Sequence, residues 1–483
     1  MRLRHPAVLF AVCLGYFMAV LDATVVNVSL PDMARGFGAG VAGMQWVVDG
    51  YALVFASLLL TMGAAGDRWG NKETFVAGLG LFTLASALCG VAPSIGTLVG
   101  FRALQGVGAA VQVPASLALL RHHYHDPGER AEAIGVWAAA TGVAVAAGPV
   151  VGGILTHAFT WRSVFLVNIP VGVAGIVLTL RHVPPVPRHR EGHLDLRAQA
   201  LGIAALGALT FGLIQGGVWG WSSPPVVGTL VVATVAGALF YRGERRAAYP
   251  MLPLALFGDR TFSAGNAVGA ILSFGFYGEL FLMSLFLQQV QHRSPLSTGL
   301  ALLPQTAAVS VMNVVSGRIT ARRGPRPPMV AGLALAGVGL LLLALTGPRA
   351  PLVAIMGPLL AVGLGSALTM PAMTAAVIEH TPRERAGIGS AVLNASRQVG
   401  GVVGIALLGA LIGTHGGRGP AAVQHFISGF HRGLALAGFA FLAGSILSFV
   451  AIERDKGEGE VGSALPRSGA SELGCAPSEP GAQ

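Results

Sequence analysis

Long apolar segments alternate with short polar ones along almost the whole chain, from residue 6 to residue 452. An α-helix needs about 20 apolar residues to cross the hydrocarbon core of a bilayer, and fourteen segments of this kind can be counted. They lie near residues 6–29, 44–63, 74–92, 95–118, 132–156, 163–181, 197–217, 225–241, 262–288, 297–318, 328–347, 351–377, 387–412 and 430–452. The pattern therefore predicts an all-α integral membrane protein with fourteen transmembrane helices.

The composition and the placement of charge support this prediction. Only 11% of the 483 residues are charged, whereas soluble domains average about a quarter. If both termini are cytoplasmic, 23 of the 31 Lys and Arg residues fall in cytoplasmic segments, as the positive-inside rule expects. The net charge of +10 therefore predicts an orientation in the membrane and requires no nucleic-acid partner.

Short motifs recur along the chain at a spacing of 254 to 257 residues. Internal repeats of this kind are common in secondary transporters, whose substrate site lies near the bilayer midplane between the repeats. The recurring motifs are Pro-Ala (114–115 and 371–372), Glu-Arg-Ala (129–131 and 384–386) and a glycine that follows the second and tenth spans (70 and 324).

The repeat predicts two six-helix bundles with two extra helices between them. The first bundle is predicted at residues 1–181 and the second at 262–452. Residues 182–261 are expected to hold cytoplasmic linkers and the seventh and eighth helices. Residues 453–483 are rich in Gly, Ser, Glu and Pro, which predicts a disordered cytoplasmic tail.

Two acidic residues fall well inside predicted spans, Asp22 in the first and Glu279 in the ninth. A charge in the middle of a membrane helix costs about 2.5–3.5 kcal/mol on insertion scales, and such residues mark ion or proton pathways by default. The two acids are 257 residues apart, within the spacing of the repeat. We expect both to bind protons or substrate; the alternative for Asp22 is a structural pair with a distant arginine.

Two arginines also fall inside spans. Arg102 has no acid within one helical turn, so it either pairs with a group on another helix or extends to the outer interface. We expect it to tune or relay the proton. Arg397 is a candidate for the polar lining of a central cavity, with a packing charge inside the bundle as the alternative. The other candidates for this lining are Asn27, Asp49, Gln112 and Asn394. Asp49 lies near the outer end of its span, so a place at the membrane–water interface is the alternative expected for it.

Two glycine-rich segments suggest moving parts. The segment GAAGDRWGNKE (63–73) is expected to be a loop with a gating role, although a solvated turn is the alternative. In the fifth span, small residues and Pro149 line one helical face between Gly135 and Gly153. Such a stripe lets another helix approach closely, and we expect it to form a tightly sealed interface.

At these motifs the chain resembles the fourteen-span drug:proton antiporters of the major facilitator superfamily. The resemblance covers residues 6–452, departs from the usual pattern at Ser29, Ala65 and Asn71, and does not include Glu279. The similar segments are LDATVVNVSLP (21–31), GAAGDRWGNK (63–72), FRALQGVGAA (101–110), GVAVAAGPVVGG (142–153), WRSVFLVNIPVG (161–172) and SPLSTGLALLP (294–304).

The resemblance implies roles for matched residues. Arg102 is implicated in proton transfer. The gating motif supplies Gly63, Asp67, Arg68, Gly70 and Lys72, and the antiporter motif of the fifth span supplies Gly142, Gly148, Pro149, Gly152 and Gly153.

The function expected from the residues and the resemblance is export of lipophilic or amphipathic drugs in exchange for protons, by alternating access. The alternative is a dedicated exporter of an endogenous metabolite, such as a self-made antibiotic, a siderophore or an amino acid. We expect no enzymatic activity, no cofactor and no metal site. The protein is expected to act as a monomer in the bacterial cytoplasmic (inner) membrane, with both termini in the cytoplasm, and to meet only its drug, protons and lipid.

Overall fold

The computed structural model describes residues 5–184, 195–247, 250–382, 386–413 and 420–453. Fourteen of its helices or helix pairs are long and apolar enough to cross a membrane, so the predicted number of spans is confirmed. The helices are α1 (Pro6–Phe37), α2 (Val41–Trp69), α3 (Asn71–Gly90), α4 (Ile95–His123), α5 (Pro127–Ala158), α6 (Ser163–Leu166), α7 (Asn168–His182), α8 (Leu196–Trp219), α9 (Pro224–Glu244), α10 (Arg260–Leu285), α11 (Pro295–Arg323), α12 (Arg326–Leu343), α13 (Leu352–Glu379), α14 (Ala386–Ile412) and α15 (Pro420–Ala451).

The short helix α6 and α7 together form the sixth span. Helix α10 continues into a π-helical turn at Phe286–Val290, which the sequence did not predict. The tail expected to be disordered lies, beyond Glu453, outside the described residues, and the predicted domain boundaries stay a prediction.

The prediction of a loop at residues 63–73 is wrong. Helix α2 continues to Trp69 and α3 begins at Asn71, so one residue, Gly70, makes the turn. Gly70 has φ 100°, and Gly324 has φ 74° in the corresponding turn between α11 and α12. A positive φ is strained for residues that carry a Cβ atom, which explains why glycine recurs at this spacing.

The helices form two groups that face each other. Helices α1–α7 pack mainly among themselves, and α10–α15 do the same. We call these groups the first and the second half. Helices α8 and α9 pack on each other, and α8 also contacts α2 of the first half and α14 of the second.

The two halves touch each other near one end of the molecule. Helix α5 packs against α11, α2 against α14, and α1 against α10. The side-chain amide of Gln45, near the start of α2, donates to the backbone carbonyls of Ile405 (2.9 Å) and Ala406 (2.8 Å) near the end of α14. We call this end the sealed side; it carries the turn between α1 and α2.

A second set of bonds in the seal depends on a proline. Pro31 lies inside α1 and has no N–H group to donate to the carbonyl of Asn27 one turn earlier. The hydroxyl of Ser284 on α10 donates to that carbonyl at 2.7 Å, and the amide of Gln288 in the π-helical turn donates to the carbonyl of Val28 at 2.8 Å. The second half thus satisfies backbone groups of the first.

The opposite end of the molecule is open between the halves. The face of α5 that contacts α11 at Gly142 and Gly153 is exposed one to two turns earlier, at Gly135 and Ala139. A Cβ atom built on Gly135 meets nothing within 4 Å, whereas one on Gly153 would lie 2.7 Å from the carbonyl oxygen of Pro295. This open side carries the Gly70 turn and its equivalent in the second half.

Candidate functional site

A cavity lies between the halves and opens away from the seal. It is lined by four helices of each half: α1, α2, α4 and α5 in the first, and α10, α11, α13 and α14 in the second. The space, counted out to the open side, is about 1270 Å³. Apolar groups form most of the wall, and its aromatic residues are Tyr16, Tyr51, Phe55, Phe276 and Tyr277.

Two of the residues predicted for the cavity lining lie on its wall, Asn394 and Arg397. Asp22, Glu279 and Arg102 do not line the cavity, although Ala23 and Tyr277, which lie close in sequence to the two acids, do. Of the described residues on the wall, none is a carboxylate. The predicted acids therefore lie behind the cavity wall, not on it.

Asp22 is fully buried, and its carboxylate contacts three side chains. One carboxylate oxygen pairs with the guanidinium of Arg102, which is also fully buried. The other accepts hydrogen bonds from the side-chain amides of Gln105 (2.9 Å) and Asn168 (2.9 Å). Charge-assisted bonds of this kind are roughly twice as strong as neutral ones. The possibility that Arg102 extends to the outer interface is wrong, because its side chain is enclosed.

A second layer of contacts fixes this network. The hydroxyl of Ser86 on α3 accepts from Gln105 (3.2 Å) and Asn168 (2.9 Å), and donates to the carbonyl of Phe165 (2.9 Å). Arg102 also donates to the carbonyl of Val47 on α2 at 3.0 Å. Helices α1, α2, α3, α4 and α7 thus meet at one polar centre, which we call the Asp22 network.

Tyr51 connects this network to the cavity. Its ring lines the cavity wall, and the guanidinium carbon of Arg102 lies 4.4 Å from its ring centroid. The tyrosine hydroxyl donates to the carbonyl of Ala19 at 3.2 Å. Tyr51 therefore contacts both Arg102 and the cavity.

Glu279 is also fully buried, but it has fewer partners. The side-chain amide of Gln305 on α11 donates to one of its oxygens at 2.6 Å. The other oxygen has no hydrogen-bond partner among the described residues, and neither does the amide oxygen of Gln305. An ionised carboxylate in such a place is costly, so this site suits the neutral acid.

The remaining polar candidates lie away from the wall. Asn27 bonds to carbonyls of its own helix, and both side-chain amide atoms of Gln112 are buried without a partner in the described residues. Asp49 is fully enclosed, and neither of its carboxylate oxygens has a described partner. Its expected place at the interface is wrong, because the packing of α2 against its neighbours removes it from the surface.

The gating motif lies at the open end of α2. Arg68 is exposed, and the ammonium of Lys72 donates to the carbonyl of Leu180, near the end of α7, at 3.3 Å. A Cβ atom built on Gly63 would lie 3.9 Å from the Cβ atom of Pro114 on α4. The side chain of Asp67 lies outside the described residues, so its expected part in gating stays a prediction.

The antiporter motif places α5 between α1 and α11. Gly148 and Gly152 face Thr24 and Val25 of α1, and a Cβ atom on Gly152 would lie 2.5 Å from the carbonyl oxygen of Val25. Gly142, Pro149 and Gly153 face α11 across the boundary between the halves. The hydroxyl of Ser310 on α11 donates to the carbonyl of Gly142 at 2.7 Å. Small residues thus permit close packing on two faces at once.

Sequence reasoning missed several partners that complete these sites. Gln105 lies one helical turn after Arg102, so its place on the same face was available from spacing. Asn168 lies in a segment that resembles the family, but no role was assigned to it. The signal for the remaining partners, Ser86 and Gln305, is only that each is a polar residue within an apolar span.

Two groups of membrane-spanning helices around a central cavity define a helical multi-pass membrane protein with a pathway between its halves. A sequence profile of the Major Facilitator Superfamily matches residues 12–405 and, in a second match, residues 266–471. The chain belongs to the Major Facilitator Superfamily.

Named relatives and a solved structure agree with this assignment. The chain is 37% identical over 437 residues to the methylenomycin A resistance protein of Bacillus subtilis (strain 168), with 90% of each protein covered. It is 39% identical over 404 residues to the multidrug resistance protein Stp of Mycobacterium tuberculosis (strain CDC 1551 / Oshkosh), covering 84% of this chain and 75% of that protein. Its fold is similar to that of a bacterial homologue of the human lysosomal transporter Spinster in an inward-facing, unoccupied conformation, with a TM-score of 0.65, 19% identity, and coverage of 92% of this chain and 96% of that one.

Proposed function

We propose that this protein is a proton-coupled antiporter that exports lipophilic or amphipathic compounds by alternating access. The observation that carries the proposal is the cavity between the halves, apolar, open at one end, and backed by buried acids. Membership of a transporter superfamily and similarity to proteins named for drug and antibiotic resistance support it.

The charge distribution supports an orientation for this pathway. The open side carries the ends of the helices at which Lys and Arg residues are concentrated, so by the positive-inside rule it faces the cytoplasm. A compound then enters the cavity from the cytoplasm or the inner leaflet. Release on the other side requires the seal at Gln45 and Ser284 to part and the open ends of α5 and α11 to close.

Proton coupling is assigned to the buried acids. Protonation of Asp22 would remove the charge that holds Arg102, and Arg102 contacts Tyr51 on the cavity wall. The proton and the exported compound then act on the same wall from opposite sides without sharing a carboxylate. Glu279 is the second candidate for a proton site, because it is fully buried without a countercharge among the described residues, and such burial disfavours the ionised form.

We also propose that the protein works as a monomer in the bacterial cytoplasmic membrane, with both termini in the cytoplasm. It needs no cofactor or metal, catalyses no chemical reaction, and draws its energy from the proton gradient. Its partners are the exported compound, protons and lipid.

Everted vesicles that contain the protein test the proposal. An imposed proton gradient is expected to drive fluorescent drugs into the vesicle lumen, and the Asp22→Asn variant is expected to lose this movement. The matched control is Glu132→Gln, since Glu132 is exposed on α5. If the gradient moves none of the compounds in a wide panel, the proposal is contradicted. Movement of one compound from the panel would instead favour the dedicated exporter.

A further inference from the structure

The cavity wall carries one kind of formal charge. Arg397 lies on the wall, eleven residues after the first residue of α14, which places it about 16 Å along that helix from its cytoplasmic end. Its guanidinium has no ion pair or hydrogen bond with any of the described residues, and its Nε atom is buried without a partner. This arginine is therefore a cation held near the middle of the membrane without a carboxylate.

The acids of the two halves do not compensate this charge. Asp22 is already paired with Arg102, and Glu279 is bonded to Gln305 on the far side of the wall. Asp49 is enclosed and does not line the cavity. Within the part of the chain that the structure describes, the interior of the cavity is consequently electropositive.

The side chains around Arg397 present hydrogen-bond donors to the cavity. Asn394, Arg397 and Gln398 lie at i, i+3 and i+4 spacing on the same face of α14 and all line the cavity. The side-chain amides of Asn394 and Gln398 have no hydrogen bond to a described residue. The stem of Arg397 is held in place, because a Cβ atom on Gly269 of α10 would lie 3.2 Å from its Cγ atom.

This surface matches a definite ligand chemistry. A planar guanidinium recognises carboxylate, phosphate and sulfonate oxygens through paired N–H donors, and the neighbouring amides supply further donors. The opposite part of the wall is aromatic, with Tyr16, Tyr51 and Phe55 on the first half. A compound with an apolar, ring-containing body and one anionic group fits both regions.

We infer that the cavity selects its substrates by charge, and that lipophilic anions are bound and exported in preference to cations, with Arg397 as the residue that determines this preference. The inference rests on the proposed function, since it names the class of compound that the exporter takes. A cation must enter beside an unpaired arginine in a poorly solvated site, where like charges repel strongly.

Three fluorescent pyrenebutyl probes that differ only in their terminal group provide the test: a sulfonate, a hydroxyl and a quaternary ammonium. None of them titrates, so their distribution does not follow the pH gradient by itself. Equilibrium binding to the purified protein is measured by fluorescence anisotropy, and export is measured separately in proteoliposomes with an imposed proton gradient. We expect the sulfonate to bind at least about 10-fold more tightly than the ammonium probe, with the alcohol between them.

Variants separate a role in selectivity from a structural role. Arg397→Gln is expected to weaken sulfonate binding about 10-fold and to leave alcohol binding unchanged. Arg397→Lys keeps the charge and is expected to keep the order of the probes. The matched control is Arg432→Gln, because Arg432 is exposed on α15 and bonds only to Ser428 among the described residues.

Each result bears on one of the two proposals. Equal binding of sulfonate and ammonium probes by the unchanged protein would overturn the inference. So would an Arg397→Gln variant that loses the alcohol as strongly as the sulfonate, since that pattern indicates a packing role. Charge-selective binding without gradient-driven export of any probe would support the role of Arg397 in binding and contradict the proposed exporter.

Discussion

Asp22 and Glu279 occupy corresponding places in the two halves, 257 residues apart, and both are fully buried. Their surroundings differ. Asp22 has an arginine and two amide donors from two other helices, α4 and α7, whereas Glu279 has one amide donor and a second oxygen without a described partner. The repeat therefore places an acid in each half, but the residues around the acid decide its charge.

The difference separates two ways of keeping a carboxyl group inside a membrane protein. In the first half, a countercharge balances an ionised acid, and removal of either partner leaves a buried charge. In the second half, the acid fits best when it is neutral, so its replacement by a neutral amide should change the stability little. The stability and the export rate of matched variants should reveal this asymmetry.

The largest effect is expected for Asp22→Asn. The amide keeps the shape of the side chain but leaves Arg102 without its countercharge, and an uncompensated buried charge costs about 3–5 kcal/mol. We expect a lower free energy of unfolding in detergent and no proton-driven export. Asp32→Asn on the same helix is the control, because the exposed Arg35 is the one ion-pair partner of Asp32 among the described residues. Unchanged stability would mean that the ion pair is not the principal contact of Asp22.

Gln105→Leu is expected to have the next largest effect. It removes a donor to the charged Asp22 and an acceptor for Arg102, and hydrogen bonds to charged groups contribute about 1.5–3 kcal/mol. Thermal unfolding of the purified variant measures the loss. A loss of stability smaller than that of the Gln305→Leu variant would contradict the assignment of an ionised acid to the first half.

Gln305→Leu is the matched change in the second half. It removes the one donor to Glu279 among the described residues, and a hydrogen bond between neutral groups contributes about 0.5–1.5 kcal/mol. The same unfolding measurement should therefore give a smaller loss than for Gln105→Leu. An equal or larger loss would indicate that Glu279 is ionised in this conformation.

The smallest change in stability is expected for Glu279→Gln. A neutral amide replaces a neutral acid of nearly the same shape, so the free energy of unfolding should change by less than about 1 kcal/mol. Export should nevertheless become slower if the acid carries a proton in the transport cycle, and its dependence on pH should lose one step. Full export with an unchanged pH profile would leave Asp22 as the only proton site.

The fold was accessible from the sequence because the bilayer imposes one requirement on every span, a long apolar segment, and each segment can be found separately. The Asp22 network was accessible only in part. Buried charge in the first and fourth spans pointed to an interaction, but the spacing along the chain does not say which helices meet. The presence of a second polar layer, with Ser86 and Asn168, depends on that packing.

The seal and the cavity wall were less accessible still. In the seal, the acceptors are backbone carbonyls, including one left free by Pro31, and a carbonyl has no signature in the sequence. Asn27, Asp49 and Gln112 are as polar as Asn394, but they face away from the cavity. Which polar residue faces the pathway depends on the rotation of each helix, and the apolar pattern of a helix buried on most sides fixes that rotation poorly.

The cation on the cavity wall also bears on how the transporter draws on the membrane potential. Export of an anion in exchange for one proton moves two positive charges inward, export of a neutral compound moves one, and export of a monovalent cation moves none. Each charge that crosses a potential of 100 mV contributes about 2.3 kcal/mol. A protein whose cavity favours anions would therefore be powered more by voltage than by the pH difference, and it would keep working in a cell whose cytoplasm and surroundings have the same pH.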